Sequence, residues 1–527
     1  EGIENPAHKE ALENVCTRCH APMGMVNALL AGEEEYTLEH LHDDPLGKDG
    51  ISCTLCHQIN DFSSPLFSGN FGINASKEIY GPYENPITHQ MQMNSGYTPV
   101  YDEKINESGL CGSCHTLVTH SVDDDGNFTG EDFVEQAIYQ EWENSSYGNQ
   151  NVSCQSCHMP RIDDAVKISS RPGYATARQP FGIHDFTGGN VFMLTLLKEN
   201  HDELELNSGT ALLDETIQRT RRLLTEGTID LNIETIEHRN DSVFVNVSLK
   251  NMAGHKFPTG FPSRRAYLEF MVTEGEDTLF HSGKKGASPL VDFDEDRFEP
   301  HHQVIFDDSD VQIYEFVMGN TENEVTTVLE RAYEPLKDNR IVPEGFQQNH
   351  NNYDTVKVVG EAAGDADYFS GEGSESIIYA FPYAPKAASL SVKVALHYET
   401  VPESWVQELF EHSEADEDIR RFETMYLKAE RTSVLVAADS TQITATSVPA
   451  IKKNEFRIYP NPTSGRITVE GVDKSLGYTV FSAAGRWVKE GFIEGSNPEI
   501  SLDLPPGSYI FVLHDSGGLQ TRQLIIR

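Results

Sequence analysis

The sequence predicts a multidomain protein with a mostly helical and irregular N-terminal domain, an antiparallel β-sandwich and a small C-terminal β-sandwich. Three observations predict this order. All eight cysteines lie in the first 160 residues, in four pairs that are each followed by histidine. Alternation of apolar and other residues begins after residue 228, as in half-buried strands. Short apolar segments separated by Pro and Gly turns occupy the chain from residue 455.

Every cysteine belongs to a Cys-x-x-Cys-His motif, the pattern of covalent c-type haem attachment. Each thiol adds to one vinyl group, and the adjacent histidine comes under the porphyrin as an iron ligand. A redox dithiol or half a zinc site would not need histidine after every second cysteine. The motifs are Cys16, Cys19 and His20; Cys53, Cys56 and His57; Cys111, Cys114 and His115; and Cys154, Cys157 and His158.

We therefore expect four covalently bound haems. So many macrocycles in so short a segment would form its core, with short helices and long loops wrapped around them. We expect this haem-packed domain to fold poorly without haem, by analogy with metal-coupled folding.

Electron-transfer haems usually carry a second axial ligand, most often His or Met. The strongest candidate is His184, in a glycine-flanked loop after the fourth motif. The four distal ligands that we expect are His42, His89, His120 and His184. The alternatives, each also readable as a solvated loop residue, are His8, His40, His255, Met23, Met91 and Met93.

The remaining elements follow from periodicity. Residues 191–226 indicate helix, with Gly227 as a stop signal. Two runs, 243–249 and 390–398, alternate strictly and predict strands, and 402–430 predict a helical excursion. The domains expected are 1–227 for the haem domain, 228–438 for the sandwich, 439–454 for a linker and 455–527 for the C-terminal β domain.

Residues 121–132 are similar to a degenerate calcium loop. Ser121, Asp123, Asp125, Gly126 and Asp132 fall at positions 1, 3, 5, 6 and 12. No flanking helix pair is evident, so an Asp-Gly turn is the favoured interpretation and calcium the lesser one.

The net negative charge of the chain limits the classes of partner that it can bind. With 40 basic and 83 acidic side chains the formal charge is −43, which disfavours nucleic acid and anionic membranes. No apolar run approaches the roughly 18 residues that span a bilayer. The start at Glu1, without an initiator Met, suggests that an N-terminal secretory signal has been cleaved.

Two resemblances add to these expectations. The segments GISCTLCH (50–57), LCGSCHTL (110–117), SCQSCHMP (153–160), HDFTGGN (184–190) and GHKFPTG (254–260) resemble secreted multihaem cytochromes, distantly of the cytochrome c554 group. The resemblance covers about half the chain. It favours His120, His184 and His255 as ligands, and it implies either a carrier or a nitrogen-compound oxidoreductase.

The segments FRIYPNPTSG (456–465), VFSAAG (480–485), PGSYIFV (506–512) and RQLIIR (522–527) resemble the C-terminal sorting domain of the type IX secretion system of Bacteroidota. That resemblance implies export to the cell surface or the medium.

Together these features predict an extracellular tetrahaem cytochrome that carries electrons from haem to haem, in one version as a polymerised conducting filament. Its expected partners are other cytochromes or redox proteins, extracellular electron acceptors and further copies of itself. The alternative is an oxidoreductase acting on a small nitrogen or sulfur compound at a five-coordinate haem. An electron-transfer protein is favoured over an enzyme.

Overall fold

The computed structural model of the protein describes residues 2–3, 5–64, 67–73, 75–239, 242–284, 298–383, 389–430, 433–443, 456–471, 476–482, 487–493, 498–515 and 518–527. Among the described helices, none combines the length and apolarity that a membrane span requires.

The N-terminal region consists of short helices and two-stranded ribbons. Its helices are α1 (Lys9–His20), α2 (Pro22–Ala31), α3 (Leu38–Asp43), α4 (Pro45–Lys48), α5 (Cys53–Cys56), α6 (His89–Ser95), α7 (Ser108–Gly112), α8 (Ile138–Glu143), α9 (Ser146–Asn149), α10 (Cys154–His158), α11 (Val191–Glu199) and α12 (Thr210–Glu226). Its ribbons pair β1 (Ile59–Asp61) with β2 (Gly72–Ile73), β3 (Glu78–Gly81) with β4 (Thr98–Tyr101), β5 (Thr116–Val122) with β6 (Phe128–Ala137), and β7 (Arg161–Ile162) with β8 (Phe181–Gly182).

The helix expected over 191–226 is wrong in one respect, because it is two helices. α11 ends at Glu199 and α12 begins at Thr210. The intervening segment closes with Asn207, Ser208 and Gly209, residue types that favour turns over helix interiors. The predicted stop is confirmed, since Gly227 is the C-cap of α12.

Two antiparallel-dominated sheets form the sandwich. Its strands are β9 (Ile229–Arg239), β10 (Ser242–Asn251), β11 (Arg265–Glu274), β12 (Asp277–Ser282), β13 (Val304–Ile305), β14 (Ile313–Tyr314), β15 (Phe316–Gly319), β16 (Glu334–Asp338), β17 (Ser374–Pro382), β18 (Leu390–Glu399) and β19 (Val434–Ile443). One sheet has the order β13-β17-β10-β9, with β13 parallel to β17. The other has the order β12-β11-β18-β19 with β14 beside β11, while β15 and β16 pair separately.

The predicted alternation is confirmed in the core between these sheets. On β10 every second residue from Val243 to Leu249 is buried, and Leu390 to Tyr398 on β18 follow the same pattern. Helices α11 and α12 add Val191, Ile217 and Leu224 to this core. The sandwich is therefore completed by the two helices that precede it.

The helical excursion is confirmed as α14 (Glu403–Glu411) and α15 (Glu417–Lys428), which follow the short helix α13 (Tyr353–Val356). The expected linker begins too early, because residues 439–443 complete β19, where they pair with β18. The rest of that linker, 444–454, lies outside the described residues.

The C-terminal region has two small sheets. Its strands are β20 (Arg457–Tyr459), β21 (Arg466–Glu470), β22 (Leu476–Ser482), β23 (Trp487–Ile493), β24 (Glu499–Ser501), β25 (Gly507–Asp515) and β26 (Gly518–Ile526), in the orders β20-β21-β24 and β23-β22-β25-β26. They enclose their own apolar core. Phe481 and Val512 also pack against Val304 and Ala380 of the larger sandwich.

We predict that Phe270→Ala destabilises the sandwich by about 3–5 kcal/mol. The Phe270 ring is fully buried and stacks on Tyr379 with ring centroids 3.9 Å apart, so its removal leaves a cavity. Leu435→Ala on β19, where the side chain is 47% exposed, should change stability by no more than about 0.5 kcal/mol. Denaturant unfolding of both variants measures this, and equal midpoints would contradict the core assignment.

Candidate functional site: paired histidines beside four cysteine motifs

Each Cys-x-x-Cys-His motif lies on or beside a short helix. The first motif ends α1, the second and third begin in α5 and α7, and the fourth spans α10. A separation of three residues places both thiols of a motif on one side of a helical turn. None of the eight cysteines forms a disulfide. Each motif presents two sulfurs and one imidazole from a single turn.

Sulfurs of different motifs meet. Cys19 hydrogen-bonds to Cys114, and Cys111 hydrogen-bonds to Cys154. The hydrogen bond that Cys154 accepts from Cys111 lowers the pKa of the Cys154 thiol to about 7. The first, third and fourth motifs are thus in direct contact through their cysteines.

Two motif histidines each face a second histidine across a gap. The rings of His57 and His184 are nearly parallel, 23° apart, with centroids separated by 6.3 Å. The rings of His158 and His255 are 16° from parallel with the same 6.3 Å separation. A metal bound by two imidazole nitrogens at about 2 Å each would hold the ring centres roughly 6 Å apart, one on each side. Both gaps therefore match an iron with two axial histidines.

Hydrogen bonding at Nδ1 sets the tautomer of these four rings. The Nδ1 atoms of His57 and His184 lie 2.6 Å from the Tyr80 carbonyl and 3.1 Å from the Gly182 carbonyl. Those of His158 and His255 lie 2.6 Å from the Thr187 carbonyl and 2.8 Å from the Lys256 carbonyl. A carbonyl oxygen only accepts, so each Nδ1 carries the proton and each Nε2 has a free lone pair for a metal.

One loop, residues 183–187, serves both pairs. His184 faces His57 of the second motif, while the Thr187 carbonyl orients His158 of the fourth. The loop is anchored to the fourth motif, because the Phe186 N–H donates to the His158 carbonyl at 3.0 Å and the Ile183 N–H donates to the Pro160 carbonyl at 2.9 Å. The histidines of the second and fourth motifs are therefore linked through one short segment.

The sandwich supplies His255 from the loop that follows β10. The Asn251 side chain shapes this loop: its Nδ2 donates to the His255 carbonyl at 2.8 Å and to the Ile341 carbonyl at 2.9 Å, and its Oδ1 accepts the Ala253 N–H at 2.8 Å. Burial lowers the pKa of His255, which favours its neutral form. From the sequence, His255 is expected only as an alternative to the four distal ligands. The Gly-His-Lys-Phe-Pro segment around it could nevertheless have indicated a histidine held in a turn.

A buried group of four charges, which we call the charge quartet, holds this loop against the N-terminal region. Lys256 Nζ lies 2.7 Å from Asp338 Oδ2, and Arg340 bridges Asp338 at 2.8 Å and Glu141 of α8 at 2.9 Å. Burial alone would raise the pKa of Asp338, but Arg340 and Lys256 hold that pKa below its ordinary value. Glu141 Oε2 also accepts from the Lys256 N–H at 3.2 Å and from the Thr259 hydroxyl at 2.6 Å. The residue after His255 is thus tied to both domains.

Of the four expected distal histidines, the structure places only His184 opposite a motif histidine. His42 lies beside Asp43 on the surface, and His89 is exposed at the start of α6. His120 is exposed on β5, with Nδ1 2.5 Å from Asp132 Oδ1. Within the described residues no second histidine ring stacks on His20 or His115. His42, His89 and His120 stay predictions as ligands.

A buried cluster around His301 carries its ring proton on Nε2 rather than on Nδ1. His301, Asp365 and Glu375 are buried within reach of a common ion. Gln312 Nε2, at 3.0 Å, and Asn339 Nδ2, at 3.3 Å, both donate to His301 Nδ1. Backbone contacts fix both amides, since Gln312 Oε1 accepts from the His302 N–H and Asn339 Oδ1 accepts from the Glu315 N–H. Nε2 therefore keeps its proton and donates to Asp365 at 3.2 Å, so this ring is not a metal ligand.

The calcium-like loop is the turn of the β5–β6 hairpin. The Asp123 carboxylate accepts the N–H groups of Asp125 and Asn127 at 3.0 and 2.8 Å. The Ser121 hydroxyl donates to the Ala332 carbonyl, and Asp132 pairs with His120. These contacts occupy positions 1, 3 and 12, as expected for an Asp-Gly turn rather than an ion loop.

A cleft of about 560 Å³ opens beside the third and fourth motifs. Its aromatic wall is formed by Phe62, Phe67, Tyr139 and Trp142, while Ser108 and Ser153, which precede the two motifs, lie on the motif side. The rest of the lining is polar and includes Asp61, Lys104 and Glu107. The aromatic side of the cleft fits one face of the expected macrocycle, and its polar side opens to solvent-exposed groups.

Comparison with known proteins identifies one part of the chain. Two solved structures show limited similarity: a penta-haem cytochrome c552 from Thermochromatium tepidum has 15% identity and a TM-score of 0.45 over 81% of this chain and 84% of that one. HBP35 of Porphyromonas gingivalis has 10% identity and a TM-score of 0.14 over 60% of this chain and 69% of that one. At these TM-scores neither similarity assigns a fold or a cofactor. No curated protein matches the chain. Residues 457–527 match the secretion system C-terminal sorting domain, so the chain carries a type IX sorting domain, which indicates an exported protein.

Proposed function

We propose that the protein is an exported tetrahaem c-type cytochrome that carries electrons outside the cell. The observation that supports this most strongly is the two facing histidine pairs, each of one motif histidine and one distant histidine with ring centroids 6.3 Å apart. All four rings hold their proton on Nδ1. A chance surface or core histidine has no reason to adopt both features together.

In this proposal the cysteine pairs attach the haems, and His57 and His158 are proximal ligands with His184 and His255 opposite them. Haem bound in this way supplies one-electron chemistry between ferrous and ferric iron. At these two sites a pair of imidazoles would keep substrate off the iron, and the backbone carbonyls on Nδ1 would fix the ring planes and strengthen the ligands. The residues thus position the cofactors for electron transfer.

The finer version of the proposal is a conducting filament. His120 has an exposed ring with a carboxylate on Nδ1, which leaves Nε2 directed away from that partner. Such a histidine could bind the iron of an adjacent copy at the first or third motif. Other cytochromes and extracellular electron acceptors are the further proposed partners, and the charge of −43 makes nucleic acid an unsuitable one.

The alternative function is reduction or oxidation of a small nitrogen or sulfur compound. The observation that favours it is that, in the described part of the chain, neither His20 nor His115 has a facing histidine ring. An open iron position there would give a high-spin EPR signal and turnover with nitrite or hydroxylamine. Low-spin signals from all four haems would instead favour the carrier.

We predict that His184→Ala leaves four haems attached but converts one of them from low-spin to high-spin. The thioethers do not depend on His184, whereas the second iron loses the ligand that faces His57. Intact mass measures the haem number, and EPR measures the spin state. His201→Ala is the matched control, because both of its ring nitrogens are engaged, by Asp202 and by the Ser208 carbonyl.

An unchanged low-spin spectrum in His184→Ala would exclude this ligand while leaving haem attachment intact. A mass equal to the bare polypeptide in the native protein would exclude the haem function altogether.

We predict that residues 444–527 direct a reporter that already carries an N-terminal secretory signal to the cell surface. Such a reporter fused to them should reach the surface or medium of a cell with a type IX system, because they include the whole sorting domain. The reporter without the fusion is the control, and both are measured by fractionation. Retention of the fused reporter inside the cell would contradict the assignment.

A further inference from the structure

One carboxylate inside the sandwich is buried without a hydrogen-bond partner. Glu375 lies on β17 and is fully buried, with Oε1 3.6 Å from His301 Nε2. Within the part of the chain that the structure describes, neither oxygen of this carboxylate receives a hydrogen bond. Burying a carboxylate in this way is costly, so Glu375 calls for a positive charge or a donor beside it.

His301 does not supply the missing charge. Gln312 Nε2 and Asn339 Nδ2 both donate to His301 Nδ1, so a second ring proton would face two donors. The one proton of the neutral ring is on Nε2 and is donated to Asp365 at 3.2 Å. The two amides therefore hold the imidazole neutral beside two buried carboxylates.

The neighbouring acidic groups increase the negative charge around Glu375. Asp365 is 5% exposed and caps the short 3₁₀ helix Ala366–Phe369, where its Oδ1 accepts the Asp367 N–H at 3.0 Å. The charges of Asp365 and Asp367 both act on Glu375. Lys337, whose charge reaches His301, is already paired with Glu315 at 2.8 Å. The described residues thus leave this group of carboxylates without a compensating cation.

A bound cation meets this need better than a proton does. Protonation of Glu375 would remove one charge but would leave a buried hydroxyl to which the described residues offer no hydrogen bond. The ligand atoms of His301, Asp365 and Glu375 all lie within 4.8 Å of one another. Ca²⁺ bonds oxygen at about 2.3–2.6 Å, so oxygens up to roughly 5 Å apart can share one ion. Metals that prefer imidazole are disfavoured, because His301 Nε2 carries its proton.

We propose that Asp365 and Glu375 form a structural Ca²⁺ site inside the sandwich, with His301 holding Asp365 in position. The two carboxylates supply up to about four of the six to eight oxygen ligands, and backbone carbonyls or water commonly supply the others. The ion joins β17 to the 3₁₀ helix that Asp365 caps. This site is separate from the proposed haem sites and from the hairpin loop 121–132.

The test uses the full-length holoprotein and Ca²⁺ alone, with binding measured by equilibrium dialysis against radioactive calcium. Free calcium is raised to about 10 mM, because calcium sites of extracellular modules have dissociation constants of roughly 10⁻⁴–10⁻³ M. We expect one bound ion per chain. Calcium should also raise the thermal unfolding midpoint relative to chelator, because an ion that binds only the folded state stabilises it.

Two variants locate the ion. Glu375→Gln keeps the size of the side chain and removes its charge, so we expect the calcium affinity to fall at least about tenfold, since that affinity follows the charge of the ligands. Asp123→Asn is the matched control in the hairpin loop, because asparagine keeps an acceptor for the turn N–H groups. This control should bind calcium like the native protein, and the haem number and EPR spectrum should be unchanged in both variants.

The absence of bound calcium in the native protein, with equal midpoints in calcium and chelator, would overturn the site. Undiminished calcium affinity in Glu375→Gln would also overturn it, and a loss confined to Asp123→Asn would place the ion in the hairpin instead. If Glu375→Gln does not fold, Asp365→Asn decides, because asparagine is also a good helix cap: weakened binding supports the site and unchanged binding overturns it. Intact mass counts the haems separately, so none of these outcomes is confused with a failure of the haem function.

Discussion

A hydrogen bond from imidazole Nδ1 to a backbone carbonyl decides what four histidines of this protein can do. Because a carbonyl oxygen cannot donate, the bond places the proton on Nδ1 and leaves Nε2 as a lone-pair donor. His57, His158, His184 and His255 all share it. His301 has the opposite arrangement, with amide donors on Nδ1, so its Nε2 carries the proton and donates to Asp365. A histidine Nε2 atom is therefore a lone-pair donor where the group beside Nδ1 accepts a hydrogen bond, and a proton donor where that group donates one.

The second constraint is the charge quartet of Glu141, Lys256, Asp338 and Arg340. Buried ion pairs add little net stability, but removing one member leaves an uncompensated charge and typically costs about 3–5 kcal/mol. Here the quartet joins α8 of the N-terminal region to the loop of the sandwich that carries His255. A ligand from a separate domain needs such an attachment, because an error of an ångström in its position would weaken the bond to the metal. The sandwich is thereby part of the proposed electron-transfer site as well as a spacer before the sorting domain.

Sequence and structure agree best where a pattern is local. The alternation of Val243, Val245 and Val247 corresponds to a buried strand face, and the sorting domain match covers the segment identified by its proline and glycine turns. The sequence-based expectations and the structure differ where an element depends on contacts between distant chain segments. The extension of β19 through residue 443 depends on its pairing with β18, which a short sequence window does not contain.

The sequence by itself determined the four thiol pairs with their adjacent imidazoles, because a Cys-x-x-Cys-His motif is complete within one helical turn. It also determined the strand periods and the export signal. Only the tertiary structure decided which histidines face each other, since His57 and His184 are 127 positions apart along the chain and are brought together by chain reversals. It also decided the position of the proton, which depends on whichever carbonyl the fold places beside Nδ1. These properties arise from contacts between remote segments, and no local pattern encodes them.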